Sequence, residues 1–495
     1  NETIKRLREL LPELRLRAFR PFDQTAIEVP LNLISEISST RSLSGGGINL
    51  RMHGQRKLSV QNETIKRLRE LLPEQTVVAL SVRRRPGDKW RQLNMGYVRN
   101  VRQEFNANGQ ITWTPSIVSL DQRFADQSLF IDLQDATHAP GVKKKQGSAI
   151  TQAILAFPDL VREMRTAPLL ARTIWDKLIY ELLNKTSVEG RPATRGGKPL
   201  IGPVGSGESL LDFKVFEGQG YSEGFLHVLH IANSFRFGEN VNFYQLLLSL
   251  VTPPLYELFF DPLEGTGQLG DGKQYAVKAD QSLLVYRKTP FDLIFDEAGF
   301  YRADQSIPEI QDVSSIMVET VAPDLYTGVH IGPGVLDTAA ATLQFPPTHN
   351  DLLGALHGFN VLRIKLSGIG FPREADSQEQ LPLNENLKRI QEMLFRNFCG
   401  GLDGHTAPLR NTVGRASAGF DFYRVGAVYA LPSVLQKGTL EVIREFWHAW
   451  KGKSLPDRLE DFGRFAYVSA VTDTFSLAGK KASSSLDLKW IDRIQ

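Results

Sequence analysis

Between Gln75 and about Leu133 the apolar positions gather in short runs set off by turn residues. "TVVALSVRRR" ends at Pro86-Gly87-Asp88, "QLNMGYVRNVRQEF" ends at Asn106-Ala107-Asn108-Gly109, and "QITWTPSIVSL" follows. β-Branched runs punctuated in this way predict an antiparallel sheet or barrel. A helical period follows. "SAITQAILAFPDLVREMRTAPLLARTIWDKLIYELLN" is the main helical stretch, interrupted at Pro158 and Pro168. A Gly/Pro-rich connector, "EGRPATRGGKPLIGPVGSGES", separates it from "LLDFKVFEG" and "GFLHVLHIANSFRFG", which read as strands. "NFYQLLLSLV" has the spacing of a buried helix, residues 316–366 read as mixed, and "LNENLKRIQEMLFRNFC" is an amphipathic helix. The last part returns to strands in "FYRVGAVYALP", "GTLEVIREFWHAWKG" and "RFAYVSAVTDTFSLAGKKASSSLDLKWIDR". The pattern as a whole predicts an α+β protein with β domains at both ends and helices between them.

One segment repeats. "NETIKRLRELLPE" occupies residues 1–13 and again, without change, residues 62–74. Its Ile, Leu, Leu and Leu fall at helical spacing, so either copy is expected to form a short amphipathic helix. Two units are too few to bury a shared face, so the duplication implies no repeat architecture.

Composition alters this picture little. A chain of 495 residues allows two to four domains, and 42% hydrophobic with 23% charged residues is ordinary for a globular protein. A net charge of +3 does not by itself imply a nucleic-acid surface. The basic runs Arg83-Arg84-Arg85 and Lys143-Lys144-Lys145 read as solvated loops. The single cysteine, Cys399, excludes an intrachain disulfide and reads as a buried structural thiol. With no run as long as a membrane span and no secretory pattern, the chain is expected to be soluble and made in a reducing compartment.

The candidate chemical motifs fail on context. Gly265, Gly267 and Gly270 satisfy G-x-G-x-x-G, but Asp271-Gly272 and a strand-like "QYAV" stand where a helix must open. Gly267, Gly272 and Lys273 resemble a P-loop, yet Gln274 takes the place of the magnesium-binding hydroxyl. "GYSEG" places Ser222 in a nucleophile-elbow pattern, but "FLHVLHIANSFRF" after it alternates like a strand. His227 and His230 lack a Cys or carboxylate at metal-ligand spacing and read as structural.

The flanks of the glycine-rich loop are more informative than the loop. On "YELFFD", Glu257, Phe259 and Asp261 share one strand face, and on "LLVYRK" Leu283, Val285 and Arg287 share one. A register that sets Phe259 opposite Val285 sets Glu257 opposite Arg287. Such a cross-strand ion pair adds about 0.2–1 kcal/mol and helps to fix the register. Both faces of the hairpin are largely apolar, so it must be covered. Pro290 ends the second strand because it lacks an amide proton.

"PLYELFFD", a loop and "LLVYRKTPFD" resemble the hub proteins of contractile-tailed phage baseplates. In that family an apolar helix leads into a P-x-Y/F-E-L/F-x-x-D strand, followed by an L-x-x-R-x-x-P-F strand. Glu257, Asp261, Arg287, Pro290 and Phe291 occupy those positions here. "GYVRNVRQEFNANGQITW", "HGFNVLRIK" and the closing "FAYVSAVTDTFSLAGKKASSSLDLKWIDR" resemble further family segments, in the same order, over roughly residues 75–493. The helical insert at 149–184 and the duplicated segment depart from the family pattern.

The resemblance implies two tail-tube-like antiparallel β-barrel domains with intervening helical and mixed α/β domains. The first barrel is expected over residues 14–135, with strands added from about 205–240. A helical insert and connector would follow over 136–204, the hub-signature region over 241–330, a mixed domain over 331–410 and the second barrel over 411–495. The resemblance also implies a non-catalytic homotrimer in the virion, assembled in the bacterial cytoplasm, that joins a hexameric tail tube to a trimeric central spike. Baseplate wedge proteins would surround it, and tape measure and DNA would pass through its channel. No cofactor, metal or catalytic residue is implied. No repetitive β-helix follows the last barrel, so the spike is expected to be a separate polypeptide. Two readings stand beside this one: the equivalent hub of a tailocin or secretion-type device, and a serine hydrolase using Ser222.

Overall fold

The computed structural model describes residues 12–32, 34–52, 58–105, 107, 111–122, 169–170, 194–200, 208–215, 230–231, 244, 248, 256–268, 274–290, 307–320, 326–333, 348–351, 354–355, 358–366, 391–392, 395, 412–432, 465–477 and 479–489. Among these the structure is mostly β, 60% strand against 8% helix. The weight therefore falls on sheets, and most of the predicted helical insert at 149–184 lies outside the described residues.

The N-terminal strands are β1 (Glu13–Phe19), β2 (Ile27–Val29), β3 (Ile34–Ser42) and β4 (Gly45–Met52). Helix α1 (Leu58–Leu71) follows, then β5 (Val77–Arg83), β6 (Arg91–Phe105) and β7 (Ile111–Ser119). Every residue of β5 except Arg83 is buried, Ser81 among them, in keeping with its largely apolar run. The second copy of the duplicated segment supplies most of α1. Its Leu68 and the following Leu72 enter the core beside Trp113 of β7. Residues 1–11 of the first copy lie outside the described residues, but its last residue, Glu13, opens β1 and pairs with Arg83, whereas the equivalent Glu74 is exposed in a turn. Identical sequences thus meet different neighbours.

The middle of the chain supplies short strands: β8 (Leu169–Leu170), β9 (Thr194–Arg195), β10 (Lys198–Pro199), β11 (Leu211–Val215) and β12 (His230–Ile231). Leu169–Leu170 is extended and pairs with His230–Ile231, where the apolar period predicted helix. Pro168 directly before it is the local reason, since proline breaks the helical ladder. After these come β13 (Tyr256–Asp261), β14 (Gly265–Gln268), β15 (Gln274–Val277) and β16 (Ser282–Lys288). Then follow β17 (Val313–Thr320), β18 (Gly328–Pro333), β19 (Thr348–His349) and β20 (Val361–Leu366). The closing strands are β21 (Thr412–Gly419), β22 (Val428–Ala430), β23 (Phe465–Ser476) and β24 (Lys481–Lys489).

Twelve of these strands form one antiparallel sheet, curled as a half-barrel, in the order β17-β21-β24-β23-β3-β4-β7-β6-β5-β1-β2, with β22 also on β23. The strands of both chain ends therefore share one sheet, joined where β23 pairs with β3 from Ala470↔Ser42 to Ser476↔Glu36. Arg41 and Asp473 meet across this seam at 2.6 Å, both fully buried, and Ser484 donates to Asp473 at 2.6 Å. An apolar core lies under the N-terminal strands and a second under β21, β23 and β24.

Three strands form a separate sheet, β11-β16-β13, with β11 parallel and β13 antiparallel to β16. The described strand β11, from the 205–240 stretch, thus pairs within the hairpin sheet. β18 pairs in parallel with β20 and antiparallel with β19, and Gln391, in the predicted 383–399 helix, accepts from the Ile331 amide of β18 at 3.1 Å and donates to Thr348 of β19 at 2.8 Å. "GTLEVIREFWHAWKG" and Cys399 lie outside the described residues.

Candidate functional site

β13 and β16 pair in the register that their charges predicted: Glu257 faces Arg287 and Phe259 faces Val285. The setting is drier than an ordinary cross-strand pair. The Arg287 side chain is 1% exposed and that of Glu257 12%. The Arg287 Nε donates to Glu257 Oε1 at 2.7 Å, and its guanidinium lies 5.0 Å from the centre of the Phe259 ring. A second guanidinium nitrogen donates to the carbonyl of Gly426, and the Tyr467 hydroxyl of β23 donates to the other oxygen of Glu257. One carboxylate, one arginine and one phenol thus join β13, β16 and the C-terminal strands.

A second clasp of the same composition is built four residues along β13. Asp261 accepts from the Tyr275 hydroxyl at 2.6 Å and from Arg424. Arg424 also donates to the Leu263 carbonyl at 2.7 Å. Glu257 and Asp261 reach the same side of the hairpin because strand side chains alternate with a period of two. Between them Phe259 packs with Tyr275, Val277, Leu283 and Val285.

The electrostatics follow from burial plus pairing. Burial opposes the Arg287 charge, but Glu257, Tyr275 and Tyr467 outweigh it and hold the guanidinium above its ordinary value. For Arg424, burial is likewise outweighed, chiefly by Asp261 and Tyr275. Burial and the neighbouring carboxylates push the Tyr275 and Tyr467 phenols upward, so both remain neutral donors near neutral pH. The two arginines are thus held charged and the two phenols neutral.

The glycine-rich loop is part of this junction. β14 and β15 form their own ladder, Gly265↔Val277 to Gln268↔Gln274, so Gln274 begins a strand where a P-loop needs a helix. A Cβ at Gly267 would lie 2.2 Å from a ring carbon of Tyr275, so this glycine makes room for the phenol that holds Asp261. Gly265 has φ +110°, a region that favours glycine. The loop is docked on the N-terminal strands by Gln92, whose side chain donates to the Pro262 and Gln281 carbonyls at 2.7 Å each and accepts from the Asp280 amide at 3.0 Å. Residues 256–288 thereby contact both ends of the chain.

Of the five residues carrying the resemblance, Glu257, Asp261 and Arg287 come together here. Pro290 is buried just beyond β16, and Phe291 lies outside the described residues. Sequence reading missed Tyr275, Arg424, Gly426 and Tyr467. One signal pointed to Arg424: a lone charge inside the apolar run "FYRVGAVYAL" must find a buried partner. Ser222, His227 and the Lys143-Lys144-Lys145 run lie outside the described residues, as does the side chain of His230. Among the described residues no group of three His, Cys, Asp or Glu is arranged to hold a metal, and no helix is long and apolar enough to cross a membrane.

The sequence matches no protein-family model and no curated protein. Among solved structures, the chain is similar to the 43 kDa tail protein of prophage MuSo2 from Shewanella oneidensis, at a TM-score of 0.41 and 9% identity over 96% of each chain. It is similar to the tail protein from Neisseria meningitidis MC58 at a TM-score of 0.39 and 7% identity, again over 96% of each. Prophage tail protein gp18 from Listeria monocytogenes EGD-e is matched at a TM-score of 0.41 and 9% identity, over 96% of this chain and 94% of gp18.

Proposed function

We propose that this chain is the structural hub of a contractile phage tail baseplate, a homotrimer without catalytic activity or cofactor that couples the hexameric tail tube to a trimeric central spike. The observation that carries the reading is the double clasp. Glu257, Asp261 and Arg287, the charged residues of the family resemblance, are wholly or largely buried and spent on one another and on partners from the C-terminal segment. Carboxylates used in this way serve a scaffold, not a reaction.

On this reading the N-terminal and C-terminal strand sets are two tube-like barrel domains, and the helical and mixed segments lie between them. Three chains then offer six similar units to a hexameric tube, converting threefold to sixfold symmetry. Wedge proteins surround the ring in the virion, and tape measure and DNA pass through its channel, touching it without sequence preference. Light scattering and negative-stain imaging of the purified full chain test the proposal. A trimeric ring is expected; a stable monomer at micromolar concentration overturns it.

A further inference from the structure

Three arginines crowd one face of the N-terminal strands. On β1, Leu14, Leu16 and Ala18 turn to the core, which places Glu13, Arg15 and Arg17 on the opposite face. Arg83 of β5 stands directly across from Glu13 and so shares that face. Two of the three arginines have a carboxylate of their own. Arg17 donates to Asp280 at 2.9 Å, and Arg83 donates to Glu13 at 2.7 Å.

Arg15 has none within ion-pair distance among the described residues, and its Nε is buried without a hydrogen-bond partner. Its support is aromatic: the guanidinium lies 4.6 Å from the centre of the Trp90 ring, which Arg83 also approaches, at 4.7 Å. Burial works against the Arg15 charge and, with like-charge repulsion from Arg17 and Arg83, outweighs the support of Glu28 and Asp280. The fold therefore holds a cation, braced on an indole, in a place that disfavours it until an anion arrives.

We propose that Arg15, braced on Trp90, is the recognition point for a single carboxylate side chain of a partner protein. A guanidinium fork matches a carboxylate through two parallel hydrogen bonds. The surroundings select one negative charge over a run of them. Glu13 and Glu28 share the face with Arg15, and Asp280 lies against Arg17, so successive phosphates of a nucleic acid would meet repulsion. Trp90 is engaged by two guanidinium groups, which leaves its faces poorly placed to stack bases.

The test uses the full chain and Trp90 as the reporter, its signal isolated by subtracting the fluorescence of Trp90→Phe. N-acetylglutamate α-amide, its glutamine counterpart and a single-stranded oligonucleotide are titrated in turn. The glutamate compound should give a saturable change that the glutamine compound does not. Its affinity should fall about tenfold or more in Arg15→Gln, with Arg15→Lys intermediate. The proposal is overturned by the absence of a saturable signal, by equal response to glutamine, by unchanged affinity in Arg15→Gln, or by tighter binding of the oligonucleotide. The glutamate-against-glutamine comparison on the unaltered chain holds whether or not Arg15→Gln folds.

Discussion

Replacing Glu257 by leucine removes the acceptor of the Arg287 Nε hydrogen bond and of the Tyr467 hydroxyl, while the guanidinium stays 1% exposed. Arg287 keeps the Gly426 carbonyl and the face of Phe259 among its neighbours, but no longer its carboxylate. Breaking one half of a buried ion pair costs about 3–5 kcal/mol, because the surviving charge is left uncompensated. Arg287→Met should cost a similar amount by stranding Glu257 at 12% exposure. The double variant removes both charges and fills the space with apolar atoms. It should recover a large part of the loss, leaving a coupling energy of about 2 kcal/mol or more.

Native-state hydrogen exchange of the amides at 256–261 and 282–288 reads these opening energies locally, without requiring the whole chain to unfold in two states. Single variants that each cost less than about 1 kcal/mol, in the range of an exposed pair, would refute the buried-clasp reasoning. So would a double variant whose cost equals the sum of the singles.

Other consequences are open to simpler measurements. Gly267→Ala should lower stability by about 1–3 kcal/mol, as overpacking does, because its Cβ would press on Tyr275; an unshifted thermal melt would count against the packing described. Burial raises the folded pKa of Asp473, with Arg41 and Ser484 only partly offsetting it, so the folded chain holds this proton more tightly than the unfolded one. The stability it contributes is complete below the ordinary aspartate pKa, about 3.9, and is lost as pH rises through the raised value. Melts of wild type and Asp473→Asn over that window should show wild type losing ground as pH rises, and a gain would contradict the sign. Tyr275 and Tyr467 should stay un-ionised in a spectrophotometric titration of the native protein at the pH where free tyrosine ionises, about 10. Tyr467→Phe should then leave the native titration curve unchanged while lowering the curve of the unfolded chain.

The hairpin at 256–288 was legible because two local rules agreed. Alternation put Glu257 and Asp261 on one face, and a single arginine in the facing run left one register in which Glu257 was paired. The strands β5, β6 and β7 were legible from short β-branched and apolar runs and from their turn residues. β1, β3 and β4 were hard to see because Ser, Thr and Arg interrupt them, as in "ISEISSTRS", whose Arg41 and Ser39 are nonetheless buried. Polar residues inside a strand look like a loop until their partners are known. Here those partners, Asp473 and Asn94, lie far along the chain.

The sequence by itself determined local matters: where strands alternate, where turns fall, which helix the second copy of "NETIKRLRELLPE" forms, and that lone charges in apolar runs need partners. Tertiary structure alone decided which partners those are. The backbone ladder of the β23–β3 seam is one any strand can offer to any other, and the buried Arg41–Asp473 pair across it joins residues 432 apart in sequence, so neither strand alone names its partner. Arg424 and Tyr467, which meet Asp261 and Glu257, belong to the C-terminal segment that this seam joins to the N-terminal strands. The glycine-rich loop shows the same division. Its residues excluded a phosphate cradle, and the space that Tyr275 needs above Gly267 explains its glycine there.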